Sequence, residues 1–133
     1  MINMGRLLTA NEEKVMEVFW REERPLTSID IAEMKIKSTW SRNYIQNIIR
    51  TLLKKKMIKE CDEKVQYHTQ YARQFVTAMT KEEYVARQVL ATGITKNSIV
   101  GFMSALVKEV GDEEETKETI QELEKILQQW KEH

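Results

Sequence analysis

Apolar positions along this chain recur mostly at helical spacing, with one central stretch where strand formers alternate. Val15, Met16, Val18, Phe19 and Trp20 share one broad helical face. Thr9-Ala10-Asn11-Glu12 opens that helix as a capping box, because Thr9 can accept from the third helical amide while Glu12 reaches back. The helix is predicted to run to about residue 23. Pro25 disfavours helical conformation at Arg24 and ends it. Thr27-Ser28-Ile29-Asp30 starts a second, short helix marked by Ile31, Ala32 and Met34. A polar turn from Lys37 leads to Ser41, a candidate N-cap for a third helix over about residues 42–56.

Beyond it, Met57 to Cys61 reads as a strand, Asp62-Glu63-Lys64 as a turn, and Val65-Gln66-Tyr67-His68-Thr69 as a second strand. Thr80-Lys81-Glu82-Glu83 is another capping box, opening a helix to about residue 91 that Gly93 closes. Asn97 or Ser98 caps the next segment, through Phe102, Leu106 and Val110, and Gly111-Asp112 punctuates. A last helix is predicted over about residues 114–131, with Glu113, Glu114 and Glu115 at its positive dipole end. The fold class expected is mostly α with a small β hairpin: a winged helix-turn-helix over residues 1–75, then a helical dimerisation region over residues 76–133.

The third helix carries the functional information. With successive residues about 100° apart, Ile45, Ile48, Ile49, Leu52 and Leu53 form a stripe roughly 140° wide that must bury. The opposite arc holds Asn43, Gln46, Asn47, Arg50 and Lys54, with Tyr44 and Thr51 at its edge. A solvated helix face usually mixes Glu with Lys, because pairs at i,i+4 help it. This one has no acid. Amides and guanidinium are the side chains that make bidentate contacts to adenine and guanine edges in a major groove. Asn43, Gln46, Asn47 and Arg50 are therefore the candidate base readers. A helix–hairpin packing unit without DNA is the competing interpretation.

Net charge is zero, yet the halves differ. Residues 1–75 hold 14 Lys and Arg against 10 Asp and Glu, and residues 76–133 hold 7 against 11. From Lys35 to Lys59 there are eight basic residues and no acid. Such a cluster attracts polyanions whatever the total charge, although it also suits a solvated helix face. Ser41, Arg42, Lys35, Lys37, Lys54, Lys55 and Lys59 are the candidate phosphate contacts, with Arg42 positioning rather than reading. Lys56 adds to the same attraction.

In the C-terminal half, Ile120, Leu123, Ile126, Leu127 and Trp130 fall within about 120° on the last helix. Val100, Phe102, Met103, Leu106, Val107 and Val110 form a second apolar set. Small helical segments bury little alone, so pairing with a second copy is the expected remedy, with packing onto the winged helix as the alternative. Of these residues, Val100, Phe102, Met103, Leu106, Ile120, Leu123, Ile126, Leu127 and Trp130 are assigned to the dimer.

The chain offers little to catalysis. His68 and His133 are far apart, Cys61 sits in a predicted strand, and there is no Ser-His-Asp order, metal-ligand spacing or glycine-rich phosphate loop. One cysteine excludes an internal disulfide framework and a Cys-rich zinc site. No apolar run approaches the roughly 20 residues of a membrane span, and Met1 to Arg6 are followed by no signal-type apolar region. The expectation is a cytoplasmic protein that is not an enzyme and needs no cofactor or metal.

With these residues in view, the sequence resembles the penicillinase and methicillin-resistance repressors (the BlaI/MecI family), which include copper-responsive relatives. The resemblance rests on residues 9–20 with Glu13, Val15-Met16 and Phe19-Trp20. Thr27-Ser28-Ile29-Asp30-Ile31, Trp40-Ser41, the stretch from Tyr44 to Leu52-Leu53-Lys54-Lys55, and Tyr67 complete it. It implies a homodimeric repressor, with an N-terminal winged helix on a palindromic or near-palindromic operator and C-terminal helices making the dimer. It also implies a stress- or antibiotic-responsive system and, for the antibiotic-sensing members, a sensor-activated protease that cuts within the dimerisation region.

This chain departs from the pattern at named places. The usual Thr-Val-x-Thr of the recognition helix is Tyr44-Ile45-Gln46-Asn47, and the usual Lys-Gly after it is Lys55-Lys56. The family's Asn-Phe cleavage bond has its nearest match at Gly101-Phe102. The Cys-rich tail of the copper-responsive relatives is absent. The function expected is a sequence-specific transcriptional repressor of double-stranded operator DNA. A winged-helix protein-interaction module and a small-ligand-sensing regulator are the alternatives.

Overall fold

A computed structural model describes residues 7–67 and 70–132, with the side chains of Tyr67 and Gln70 set aside. Met1 to Arg6, His68, Thr69 and His133 lie outside the described residues, as does the packing of Tyr67 at the end of the hairpin. The elements in order are α1 (Ala10–Glu22), α2 (Ser28–Glu33), α3 (Arg42–Lys54), β1 (Ile58–Tyr67), β2 (Gln70–Thr77), α4 (Lys81–Ala91), α5 (Lys96–Val110) and α6 (Glu113–Lys131). Over the described residues the protein is mostly helical with one antiparallel hairpin, as its periodicity predicts. The chain divides into two compact units, Met1–Thr92 and Gly93–His133, which places α4 in the first.

Capping chemistry fixes the helix starts. Thr9, Thr27 and Thr80 each accept from the amide three residues on, and Glu12, Asp30 and Glu83 return a carboxylate to the cap backbone. At α5 the cap is Thr95 rather than Asn97 or Ser98. Ser98 instead closes the box, its Oγ accepting the Thr95 N–H at 3.0 Å. Asp112 caps α6 by accepting from the Glu115 amide.

The first unit closes around α1 and α3. Val15, Met16, Val18 and Phe19 meet Ile31, Ile45, Ile48, Ile49 and Leu52, with Met57, Ile58 and Phe75 from the hairpin and Tyr84 from α4. The anticipated stripe on α3 is therefore the wall of the core, except that Leu53 at its edge is only half-buried and packs against it. Trp20 Nε1 donates to the Met79 carbonyl at 3.0 Å, and the Tyr84 hydroxyl bonds to Glu13 at 3.0 Å, which docks α4 on α1.

The hairpin differs from its sequence reading. Asp62-Glu63-Lys64 is not a chain reversal; β1 continues to Tyr67, and Val65 pairs with Ala72. The register slips between Glu60 and Lys64, so the turn-forming residues make a bulge. Carrying the ladder on to Tyr67 and Gln70 satisfies more backbone groups than reversing at residue 62. At the hairpin base, Leu26 and Phe75 exchange both backbone hydrogen bonds, at 3.0 and 2.8 Å, adding a one-residue third strand.

The second unit is a helix pair, α5 and α6, in which no side chain of either helix is buried.

Candidate nucleic-acid interface

The candidate surface is built on α3. Ser41 caps it, its Oγ accepting the Tyr44 N–H at 3.0 Å. The buried aliphatic stripe then fixes the rotation of the helix, and Asn43, Gln46, Asn47 and Arg50 are all exposed on the other side. Two of them are joined: Arg50 donates to Asn47 Oδ1 at 2.9 Å. That bond holds the guanidinium along the helix and leaves its remaining N–H groups free to meet an acceptor.

The start of α3 is braced from two sides. Asn11 on α1 donates through Nδ2 to the Tyr44 hydroxyl at 2.8 Å, and the Tyr44 ring lies 5.4 Å from that of Trp40. Trp40 packs against the core, so Tyr44 is clamped at the edge of the reading face.

The end of α3 is a Schellman motif. Lys56 N–H reaches the Leu53 carbonyl and Met57 N–H the Leu52 carbonyl, both at 3.0 Å, with Met57 buried beneath. The motif requires a left-handed residue, and Lys56 takes it at φ 62°.

The expected phosphate contacts divide. Lys35, Lys37, Ser41, Arg42, Lys54 and Lys59 are exposed. Lys55 points elsewhere: its ammonium sits 2.7 Å from Glu12 Oε1 and 3.3 Å from the Leu7 carbonyl. Glu12 is only 5% exposed, and the same Oε1 accepts the Thr9 N–H at 2.7 Å. Burial alone raises the Glu12 carboxyl's pKa; the Lys55 and Thr9 hydrogen bonds and the Lys55 charge outweigh it and hold it below its ordinary value.

Two basic residues escaped sequence reasoning. Lys14 on α1 lies beside Lys37, whose neighbouring side chain pushes the Lys14 ammonium's pKa down. Nothing in the sequence pairs them, since Lys14 sits among the acids of α1. Arg73 on β2 is the other. It donates to Glu60 Oε1 at 2.9 Å, and its guanidinium carbon stands 5.3 Å from the Phe75 ring centroid. A cleft of about 420 Å³ separates α3 from β2, lined by Gln46, Arg50, Arg73 and Ser28 over Ile49, Leu53, Ala72 and Phe75. A larger hollow of about 520 Å³ lies away from α3, between α1 and the start of α4.

In the second unit the apolar residues face outward. Val100 is 78% exposed and Trp130 69%; Leu106, Ile120, Ile126 and Leu127 are also exposed, and Phe102, Met103 and Leu123 are half-buried. The Gly101-Phe102 bond lies within α5. Among the described residues no group of three or more His, Cys, Asp or Glu side chains could hold a metal, and no helix is long and apolar enough to cross a membrane.

A comparison with protein-family models matches residues 8–129 to one described as penicillinase repressor. No curated protein and no solved structure matches the chain.

Proposed function

The chain belongs to the penicillinase repressor family, a family of transcriptional regulators, and from that premise we propose that it is a homodimeric repressor reading a two-fold symmetric operator. The observation carrying this reading is the α3 face: exposed, free of acids, and rigidly backed by Ile45, Ile48, Ile49 and Leu52. Asn43, Gln46, Asn47 and Arg50 read base edges in the major groove. Lys35, Lys37, Lys54 and Lys59, with Ser41 and Arg42 at the helix start, hold the phosphate strands and set the register. Lys55 acts differently from its neighbours, as a clasp on α1 through Glu12.

The second unit supplies the dimer. Two helices whose apolar residues lie open to solvent leave a surface that a second copy covers. Reading helices about 34 Å apart, or a multiple of that, then match successive turns of one DNA face. Repression belongs to a stress- or antibiotic-responsive circuit, on the strength of the family.

Selection of random-sequence duplexes by the full chain tests this reading. Enrichment of an inverted repeat whose half-sites lie one helical turn apart, or a multiple, is expected. A pool that stays random, with affinity indifferent to salt, would overturn it.

A further inference from the structure

Arg73 lies on β2, on the wall of the α3–hairpin cleft that faces Gln46 and Arg50. A helix lying in a major groove is bordered on each side by a phosphate strand. If Gln46 and Arg50 read bases, the strand on the hairpin side passes the mouth of this cleft. The inference rests on the DNA-binding reading proposed above.

Three features suit Arg73 to that strand. Its side chain is 59% exposed, so phosphate can reach it. The Phe75 ring, itself buried, supports the guanidinium from one side at 5.3 Å. Its other neighbour is Glu60, at 2.9 Å across the two strands, where the side chains are 59% and 40% exposed. A pair this exposed is weak. A phosphate that takes two parallel N–H bonds from the guanidinium is a stronger partner. The same carboxylate also stands beside the path of the phosphate strand and repels it.

We propose that Arg73 is a backbone-phosphate contact of this protein and that Glu60 is its built-in competitor, a carboxylate that must release Arg73 before DNA is held. Glu60 thereby keeps affinity for any duplex below what the basic surface alone would reach, and sharpens dependence on the base contacts of α3.

Fluorescence anisotropy tests this with the full chain and a labelled duplex of scrambled sequence, titrated from about 50 to about 200 mM salt. Arg73→Gln is expected to weaken binding about three- to tenfold and to flatten the salt slope by about 0.9, the share of one phosphate. Arg73→Lys recovers the slope and part of the affinity. Glu60→Gln is expected to tighten binding about two- to fivefold, the range of an exposed ion pair. In the Arg73→Gln background that gain shrinks, because the competitor has lost its partner.

Lys54→Ala serves as the reference for a phosphate contact. If Lys54→Ala weakens binding while Arg73→Gln leaves affinity and slope unchanged, DNA binding stands and the Arg73 assignment is overturned. If the gain from Glu60→Gln is undiminished without Arg73, Glu60 is a bystander charge and the competitor role is overturned. Absence of salt-dependent binding by the parent chain overturns this inference together with the repressor reading. Thermal melts confirm that each variant is folded.

Discussion

Glu12 and Lys55, 43 positions apart in the sequence, meet with Oε1 and Nζ 2.7 Å from each other. One end of the contact is the third residue of α1 and the other is the C-cap of α3. The pair therefore ties the start of one core helix to the end of the other. Glu12 is buried and Lys55 about a third exposed, so removing the lysine strands a charge with little water to replace it.

Lys55→Met is expected to lower unfolding free energy by about 1–3 kcal/mol in urea titrations. It should disturb the salt slope of DNA binding less than Lys54→Ala does. An unchanged urea midpoint with a flattened slope would place Lys55 on the phosphates instead.

The same pair predicts a pH response. The Glu12 carboxyl is held below its ordinary value of 4.5 despite its burial. A depressed carboxylate contributes stability that is fully present above the ordinary value and is lost as pH falls through the folded one. Urea midpoints measured from about pH 6 down to about pH 3 should decline through and below 4.5 more steeply in the parent chain than in Glu12→Gln. Parallel curves would remove Glu12 from the acid response.

Lys56 stands where the left-handed residue of the α3 stop belongs, with φ 62°. A side chain costs about 1 kcal/mol there relative to glycine. Lys56→Gly should raise stability by about that amount, read as a higher denaturant midpoint at unchanged m-value. No gain would mean that the lysine side chain contributes something the backbone argument omits.

The sequence made the α3 stripe and its polar face legible because both follow from a single period along one element. Ile45, Ile48, Ile49 and Leu52 bury as that period demands. Contacts between elements were beyond it. The run Lys54-Lys55-Lys56 looks uniform in sequence, yet its members differ: Lys55 finds Glu12 on another helix, and Lys56 closes a helix stop. Asp62-Glu63-Lys64 has the composition of a turn, and the ladder beyond it overrode that local preference. Arg73 is hidden for a related reason: a reversal at residues 62–64 leaves the strand that carries it without a partner. At α5, Thr95 and Ser98 are both capping residues, and the geometry rather than the composition decides between them.

Arg50 is joined to Asn47 and exposed along the helix. Arg50→Ala should cost about 1–3 kcal/mol on the selected operator and relax one base position. Equal losses on operator and scrambled duplex would take away its reading role.

The open face of α6 should be what holds two copies together. Leu127→Glu places a charge among apolar side chains half exposed in the single chain. Sedimentation equilibrium should show dissociation, while helical content measured by circular dichroism stays near that of the parent. A variant that remains dimeric would move the interface elsewhere.

The Leu26–Phe75 bridge clamps only the inner end of the hairpin, and the bulge at Glu60 to Lys64 separates that clamped end from the ribbon beyond. Inserting or deleting two residues in each strand outside the bulge preserves which side chains face which way, and leaves the buried inner end, with Ile58 and Phe75, in place. The span of the wing is thus a dimension open to retuning without refolding anything else.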